Sequence, residues 1–240
     1  MATSSVLVSN PTPFRRGLQA GVTIAIGYMP VALTFGLLAK SVDLNLMETL
    51  MMSIFVFAGA AQYMALNMIA LGTGVFEIVM TTFIVNIRHF LMSTTLNEKV
   101  ENDKKWKKAL YSFGITDETF SVAATNEGRL HTSYMLGLII ISYSSWVVFS
   151  GIGHIVGGSL PTTLQDSMSI ALYAMFVGLL VPSMKKSRKV IYLAATAALF
   201  NALFVHVLQM AQGWAIIVAT LISAVGIEWV EQKRREISRE

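Results

Sequence analysis

Seven apolar runs close to membrane-spanning length, at 17–39, 46–71, 75–96, 133–156, 167–181, 189–210 and 213–230, leave this 240-residue chain few folds to choose from. About 17–25 apolar residues cross the hydrocarbon layer as a helix. Lipid offers backbone groups no hydrogen bonds, so each spanning segment must satisfy its own. The fold class that follows is an all-α polytopic membrane protein with about seven transmembrane helices. An eighth stretch, 109–125, carries Asp117 and Glu118 at its middle and is read as a re-entrant or half-crossing helix. Such an element is tolerated where its backbone is buried in protein or lines a cavity.

Composition narrows the function. Hydrophobic residues make up 54% and charged ones 13%, against about 25% charged in soluble domains, and mean hydropathy is +0.61. The net charge of +4 does not point to nucleic acid, because the basic residues sit between apolar runs instead of forming one patch. They report orientation instead. The absence of Cys excludes disulfides and Cys-ligated zinc or iron–sulfur sites. The first apolar run exceeds the 7–15 residues of a signal h-region, so no cleavable signal is expected.

Two topologies compete on charge. Eight crossings with an inner N-terminus put 11 Lys and Arg inside against 6 outside, the latter being Lys40 and the five Lys of 97–108. Leaving 109–125 uncrossed, with the N-terminus outside, gives 15 against 2, which obeys the positive-inside bias better. That arrangement makes one transporter domain over 1–240, with inverted repeat halves at 15–97 and 130–211 and a final helix at 213–230. A shift of 115 residues superposes Ile24 on Ile139, Tyr28 on Tyr143, Gly36 on Gly151, Thr81 on Thr196 and Asn86 on Asn201. Inverted repeats in transporters place substrate near the midplane at interrupted helices. Interruptions stand here at Pro30, at Ala58-Gly59-Ala60-Ala61-Gln62 and at Pro182.

The polar groups inside the apolar runs carry the chemistry. Asn86-Ile87-Arg88-His89 lies within 75–96. An Arg near a helix centre costs roughly 2.5–3.5 kcal/mol on insertion scales, so it faces a bundle interior or wet cavity and takes a partner. Snorkelling to the membrane surface is the plain alternative. Asn86 and Arg88 point to different sides of a helix, so one unbroken segment cannot aim both at one point. His89 titrates near neutrality and is a candidate proton carrier, with a hydrogen-bonded structural role as its alternative. Thr116, Asp117 and Glu118 suit a helix N-terminus. The acid not used in capping is then a partner for Arg88 or a proton acceptor.

Pro30 removes a backbone donor and crowds the preceding turn, so a kink or break is expected there. A carbonyl freed by that break can bind an ammonium. The small residues 58–61 let another backbone approach closely, and Gln62 offers a donor and an acceptor at that contact. Ser150 and His154 share a helix face, but no acid stands near to orient the imidazole and no Gly-x-Ser-x-Gly elbow occurs. Catalysis is not expected.

Arg16-Gly17, Pro30 with Phe35-Gly36, Phe57-Ala58-Gly59-Ala60-Ala61-Gln62-Tyr63, Asn86-Ile87-Arg88-His89-Phe90-Leu91-Met92 and Thr116-Asp117-Glu118 together resemble the AzlC family, the large subunit of a bacterial branched-chain amino acid exporter. The resemblance runs over most of the first half and continues, less specifically, to Pro182 and Asn201. It implies efflux of valine, leucine, isoleucine and methionine across the bacterial cytoplasmic membrane, with a small hydrophobic AzlD-type partner. A zwitterionic substrate suits the residues above, since its carboxylate needs a cation or helix N-terminus and its ammonium needs carbonyls or a carboxylate. Pro30, Gly59, Gln62, Asn86, Arg88 and Asn201 are the substrate-binding candidates. His89, Asp117 and Glu118 are the candidates for proton coupling. No nucleotide-binding motif is present, so an ion gradient, protons first, is the expected energy source, and no cofactor is expected. A channel, or a structural subunit whose partner carries the site, are the alternatives; saturable exchange by the chain with and without its partner separates them.

Overall fold

The computed structural model describes residues 11–157, 187–210 and 212–237, with scattered positions between 159 and 185. The run expected to span 167–181, and Pro182, fall outside the described residues. Those described form helices α1 (Pro13–Ser41), α2 (Leu46–Phe55), α3 (Gly59–Ala70), α4 (Val75–Lys99), α5 (Lys105–Phe113), α6 (Asp117–Thr125), α7 (Thr132–Gly157), α8 (Arg188–His206) and α9 (Gln212–Ile237). No strand occurs among them. Five helices (α1, α4, α7, α8 and most of α9) are long and apolar enough to cross a membrane.

The starts are written locally. Thr12 caps α1 by accepting from the Arg15 amide, with Pro13 in the first turn, where a missing N–H costs nothing. Asn45 and Glu48 form a reciprocal capping box on α2, which satisfies two otherwise orphaned donors.

α1 and α7 make the central pair and run in the same direction. Gly17 lies on the Tyr134 carbonyl, Ser145 Oγ donates to the Ala25 carbonyl at 2.7 Å, and Gly36 lies on the Ser150 carbonyl. A methyl group at Gly36 would overlap that carbonyl, so small residues are what let the two backbones touch. This direction corrects the repeat drawn at a shift of 115, because helices related by an inverted repeat across the membrane run oppositely. α1 also passes through Pro30 unbroken. Carbonyls around the proline find side-chain donors: Ser145 on Ala25, Thr34 on Pro30 at 2.8 Å and Tyr63 on Val31 at 2.6 Å. The carbonyl that Pro30 deprives of an amide is that of Ile26, four residues back, and these three donors hold the turns on either side of it.

The stretch 46–71, expected as one crossing, is a hairpin instead. Thr49 is hydrogen-bonded to His154 near the C-terminal end of α7, and farther along α2 the Ile54 carbonyl accepts from Tyr143 near its middle. The chain breaks at 56–58, and α3 turns back: Gly59 sits at Trp146, and Tyr63 packs on Phe35 nearer the end of α1. A second hairpin enters from the opposite end. Phe113 at the end of α5 packs on Tyr143, and α6 returns until Lys99 Nζ reaches the Ala124 and Asn126 carbonyls and Val100 bridges Leu130.

Because the first hairpin doubles back, the start of α1 and the 97–108 segment share one end of the bundle. Both charge topologies drawn from sequence had put them on opposite faces. α8 starts at this same end, where Lys189 pairs with Glu228 and Glu231 of α9, while Trp214 at the start of α9 packs on Phe76 at the other. Among the described residues outside the helix centres, that first end gathers the Lys and Arg of 15–16, 99–108, 129, 188–189 and 233. Among the described residues, Lys40 alone stands at the opposite end. The main core joins Phe35, Met135, Leu138 and Trp146 to Tyr111 and Ile115 of the second hairpin, and α8 and α9 share a small cluster at Phe204, Ala215 and Ala219.

Candidate functional site

The two hairpin tips meet at one cavity. Ala58, Gly59 and Ala60 supply the first tip, Thr116, Asp117 and Glu118 the second, and the walls are Tyr28 of α1, Phe57, Arg88 and His89 of α4, and Trp146 of α7. Its volume open to water centres is about 30 Å³. At about 10–15 Å³ per water this holds two or three waters.

The second tip is held by its own side chains. Thr116 is the N-cap of α6: its hydroxyl accepts from the Thr119 amide at 3.3 Å, and Thr119 Oγ1 accepts from the Thr116 amide at 2.7 Å. Arg88 Nη2 lies 2.9 Å from Asp117 Oδ2. That bond ties α4 to the tip and gives the guanidinium the counter-charge that an apolar surrounding demands. Tyr28 donates its hydroxyl to Glu118 Oε2 at 2.7 Å and lies 2.6 Å from Thr116 Oγ1. With its single proton on Glu118, the Tyr28 oxygen accepts from Thr116.

The first tip is different. The chain leaves α2 through Val56 and Ala58, the Ala58 amide closing a short turn onto the Val56 carbonyl at 2.7 Å. No side chain caps the N-terminus of α3. The aromatic wall is continuous here: Tyr28 meets Trp146 edge-on at 5.3 Å and Phe57 at 6.1 Å, and Phe57 meets Tyr143 at 5.2 Å. A β-carbon at Gly59 would come within 2.8 Å of the Trp146 ring, so the tip can reach the indole only as glycine.

Of the sequence candidates, Gly59, Arg88, His89, Asp117 and Glu118 line this cavity, and Pro30, Gln62, Asn86 and Asn201 do not. α4 is unbroken, so Asn86 turns from the face that carries Arg88. Gln62 is fully buried, and neither of its amide atoms has a hydrogen-bond partner among the described residues; the side-chain oxygens of Asn86 and Asn201 are likewise unpartnered. Tyr28, Phe57 and Trp146 were not singled out as site residues, because aromatics in apolar runs look like core. The signal that existed was Tyr28, a hydroxyl two residues before Pro30. Ser150 donates to the Trp146 carbonyl and His154 is bonded to Thr49, so neither stands free for catalysis.

Five candidate spans make this a multi-pass membrane protein, with a polar cavity at the tips of two interrupted elements. The family model described as "AzlC protein" matches residues 23–160, and the chain belongs to that family. It is 31% identical over 212 residues, covering 82% of this chain and 85% of the relative, to the inner membrane protein YgaZ of Escherichia coli K12. It is 29% identical over 180 residues (74% and 79%) to an uncharacterized membrane protein of Archaeoglobus fulgidus. To the branched-chain amino acid transport protein AzlC of Bacillus subtilis it is 23% identical over 226 residues (93% and 87%). No solved structure matches. The protein is a multi-pass membrane protein with a transport role.

Proposed function

We propose that this chain is the large subunit of a secondary transporter that exports branched-chain amino acids, with valine, leucine, isoleucine and methionine as substrates and protons as the coupling ion. The observation that carries the reading is the cavity where two helical hairpins from opposite ends meet, an ion pair and a second carboxylate on one side and an aromatic wall on the other. Interrupted helices with opposed half-helix ends are how transporters hold small charged solutes. Gly59 and Arg88 border the substrate cavity, and His89, Asp117 and Glu118, which line it too, are the groups proposed for proton coupling, Glu118 facing the substrate as well. The name of the Bacillus relative supports the substrate class.

The basic end is assigned to the cytoplasm by the positive-inside bias, which places the N-terminal end of α1 inside, the first hairpin entering from outside and the second from inside. A small hydrophobic AzlD-type subunit completes the transporter; α4 and α8 are each only 6% buried over their apolar windows and have room for it. Proteoliposomes holding the chain and that subunit should show saturable leucine counterflow and leucine movement driven by an imposed pH gradient. Full activity from the chain alone would remove the partner. Non-saturable flux with no counterflow would favour a channel and overturn the transporter.

A further inference from the structure

Fifty-eight residues separate Ser41 from Lys99, where α1 and α4 end, Phe55 from Phe113, where α2 and α5 end, and Gly59 from Asp117, where α3 and α6 begin. Under that shift Thr23 meets Thr81, Ile26 meets Ile84, Leu33 meets Leu91, Leu38 meets Leu96, Val42 meets Val100, and Phe55 meets Phe113. The chain thus carries two helix-plus-hairpin units of opposite direction, α1 to α3 and α4 to α6. Their tips correspond residue by residue: Ala58 to Thr116 and Gly59 to Asp117.

The correspondence exposes one asymmetry with a chemical meaning. At the second tip Thr116 caps the helix, and Asp117 is occupied by Arg88. Glu118 accepts from Tyr28, and no cation pairs with it among the described residues. At the first tip no side chain caps α3, a twelve-residue helix. Its opening N–H groups lack intrahelical acceptors and carry the positive end of its dipole. Beside them Trp146, 2% exposed and lining the same cavity, has an indole N–H without an acceptor. A buried donor left unpaired is costly. One side of the cavity therefore offers donors without an acceptor, and the other a carboxylate, Glu118, to which no cation is paired among the described residues.

We propose that an α-amino acid bridges the two tips, its carboxylate on the amides at the start of α3 and on the Trp146 indole N–H, and its ammonium on Glu118. Arg88 then holds the second tip through Asp117 and does not bind the substrate carboxylate. The inference rests on the amino-acid reading above and assigns the orientation of the substrate within that site.

The test compares ligands within each variant, so that expression and folding cancel. Binding of leucine, leucinamide (no carboxylate) and 4-methyl-2-oxopentanoate (no ammonium) is measured by competition on the chain in complex with its small subunit. Wild type should prefer leucine over leucinamide by roughly tenfold or more, the scale of hydrogen bonds to a charged group. Ala58→Asp places a tethered carboxylate at the N-cap and should bring that preference close to unity; Ala58→Ser, which adds only a capping hydroxyl, should reduce it. Glu118→Gln should leave that ratio intact and erase the preference for leucine over the oxo acid. A preference for leucine that survives both Ala58 variants and disappears in Arg88→Ala overturns the orientation while leaving the amino-acid reading standing. Wild type that binds none of the three ligands overturns the reading and the orientation with it.

Discussion

The two hairpins solve one problem in opposite ways. Each ends a helix and starts another deep in the protein, where water cannot satisfy the exposed backbone groups. The α5/α6 hairpin meets the need internally: Thr116 caps α6, Asp117 takes Arg88, and Glu118 takes Tyr28. The α2/α3 hairpin turns on Phe57, Ala58 and Gly59, with aromatic rings around it and no cap. In the orientation proposed above, the self-satisfied tip is the fixed wall and the unsatisfied one receives the substrate carboxylate.

The largest effect that can break this comparison is topological. With no native Cys, single cysteines at Ser41 and Thr73, which flank the first hairpin, should both react with an impermeant thiol reagent added outside. Asn102→Cys and Glu127→Cys, flanking the second, should both stay unlabelled until the membrane is opened. Labelling that differs between Ser41→Cys and Thr73→Cys would mean that 46–71 crosses after all.

Next comes the ion pair that anchors the second tip. Arg88→Ala should lower leucine transport by more than tenfold and destabilise the protein, since it strands Asp117 in a low-polarity site. Asp117→Ala alone should also cost stability. The double variant Arg88→Ala with Asp117→Ala should be more stable than the two single losses added together, with a coupling of about 0.5–3 kcal/mol. Unfolding midpoints in detergent measure it. Additive losses would mean that the pair contributes no coupling and that the tip is held by Thr116 and Tyr28.

Much of this was legible in the residues, and the gaps have physical causes. Apolar length located α1, α4, α7, α8 and α9, because a lipid-facing helix has little other way to be written. The cost of a charge in such a helix pointed to Arg88, and acids flanked by Thr116 pointed to its partner. The interruption at Ala58-Gly59-Ala60-Ala61-Gln62 was legible, and α3 does start at Gly59, but the reversal of the chain there was not. Apolar length cannot tell one 26-residue helix from two short ones, and the break at Val56-Phe57-Ala58 contains neither Gly nor Pro; Gly59 follows it as the first residue of α3. Pro30 misled in the opposite sense: α1 runs through it, and the turns around it are held by side chains of α3 and α7, far along the chain. Once 46–71 folds back, every later segment changes direction relative to α1, which is why the 115-residue shift failed and why the 15-to-2 charge count, which put 97–108 and the C-terminal basic residues on one face as the structure does, misplaced the start of α1. Trp146 was hidden by being one aromatic in an apolar run, visible only through the glycine it faces.

The smallest effect concerns the cap that separates the two tips. Thr116→Ala removes the acceptor for the Thr119 amide and the hydroxyl beside Tyr28, making the second tip resemble the first at the corresponding position. Loss of an N-cap costs about 0.5–2 kcal/mol, so the unfolding midpoint should fall by a few degrees while Arg88 and Asp117 keep the tip in place and transport persists. Thr116→Ser retains a hydroxyl that can accept from the same amide, and its midpoint should stay near wild type. A Thr116→Ala midpoint equal to wild type would mean that capping does not distinguish the tips, and that the charges at Asp117 and Glu118 alone do. A fall of the same size in Thr116→Ser would assign the cost to the lost methyl group and its packing, since only the hydroxyl is common to the cap and the Tyr28 contact.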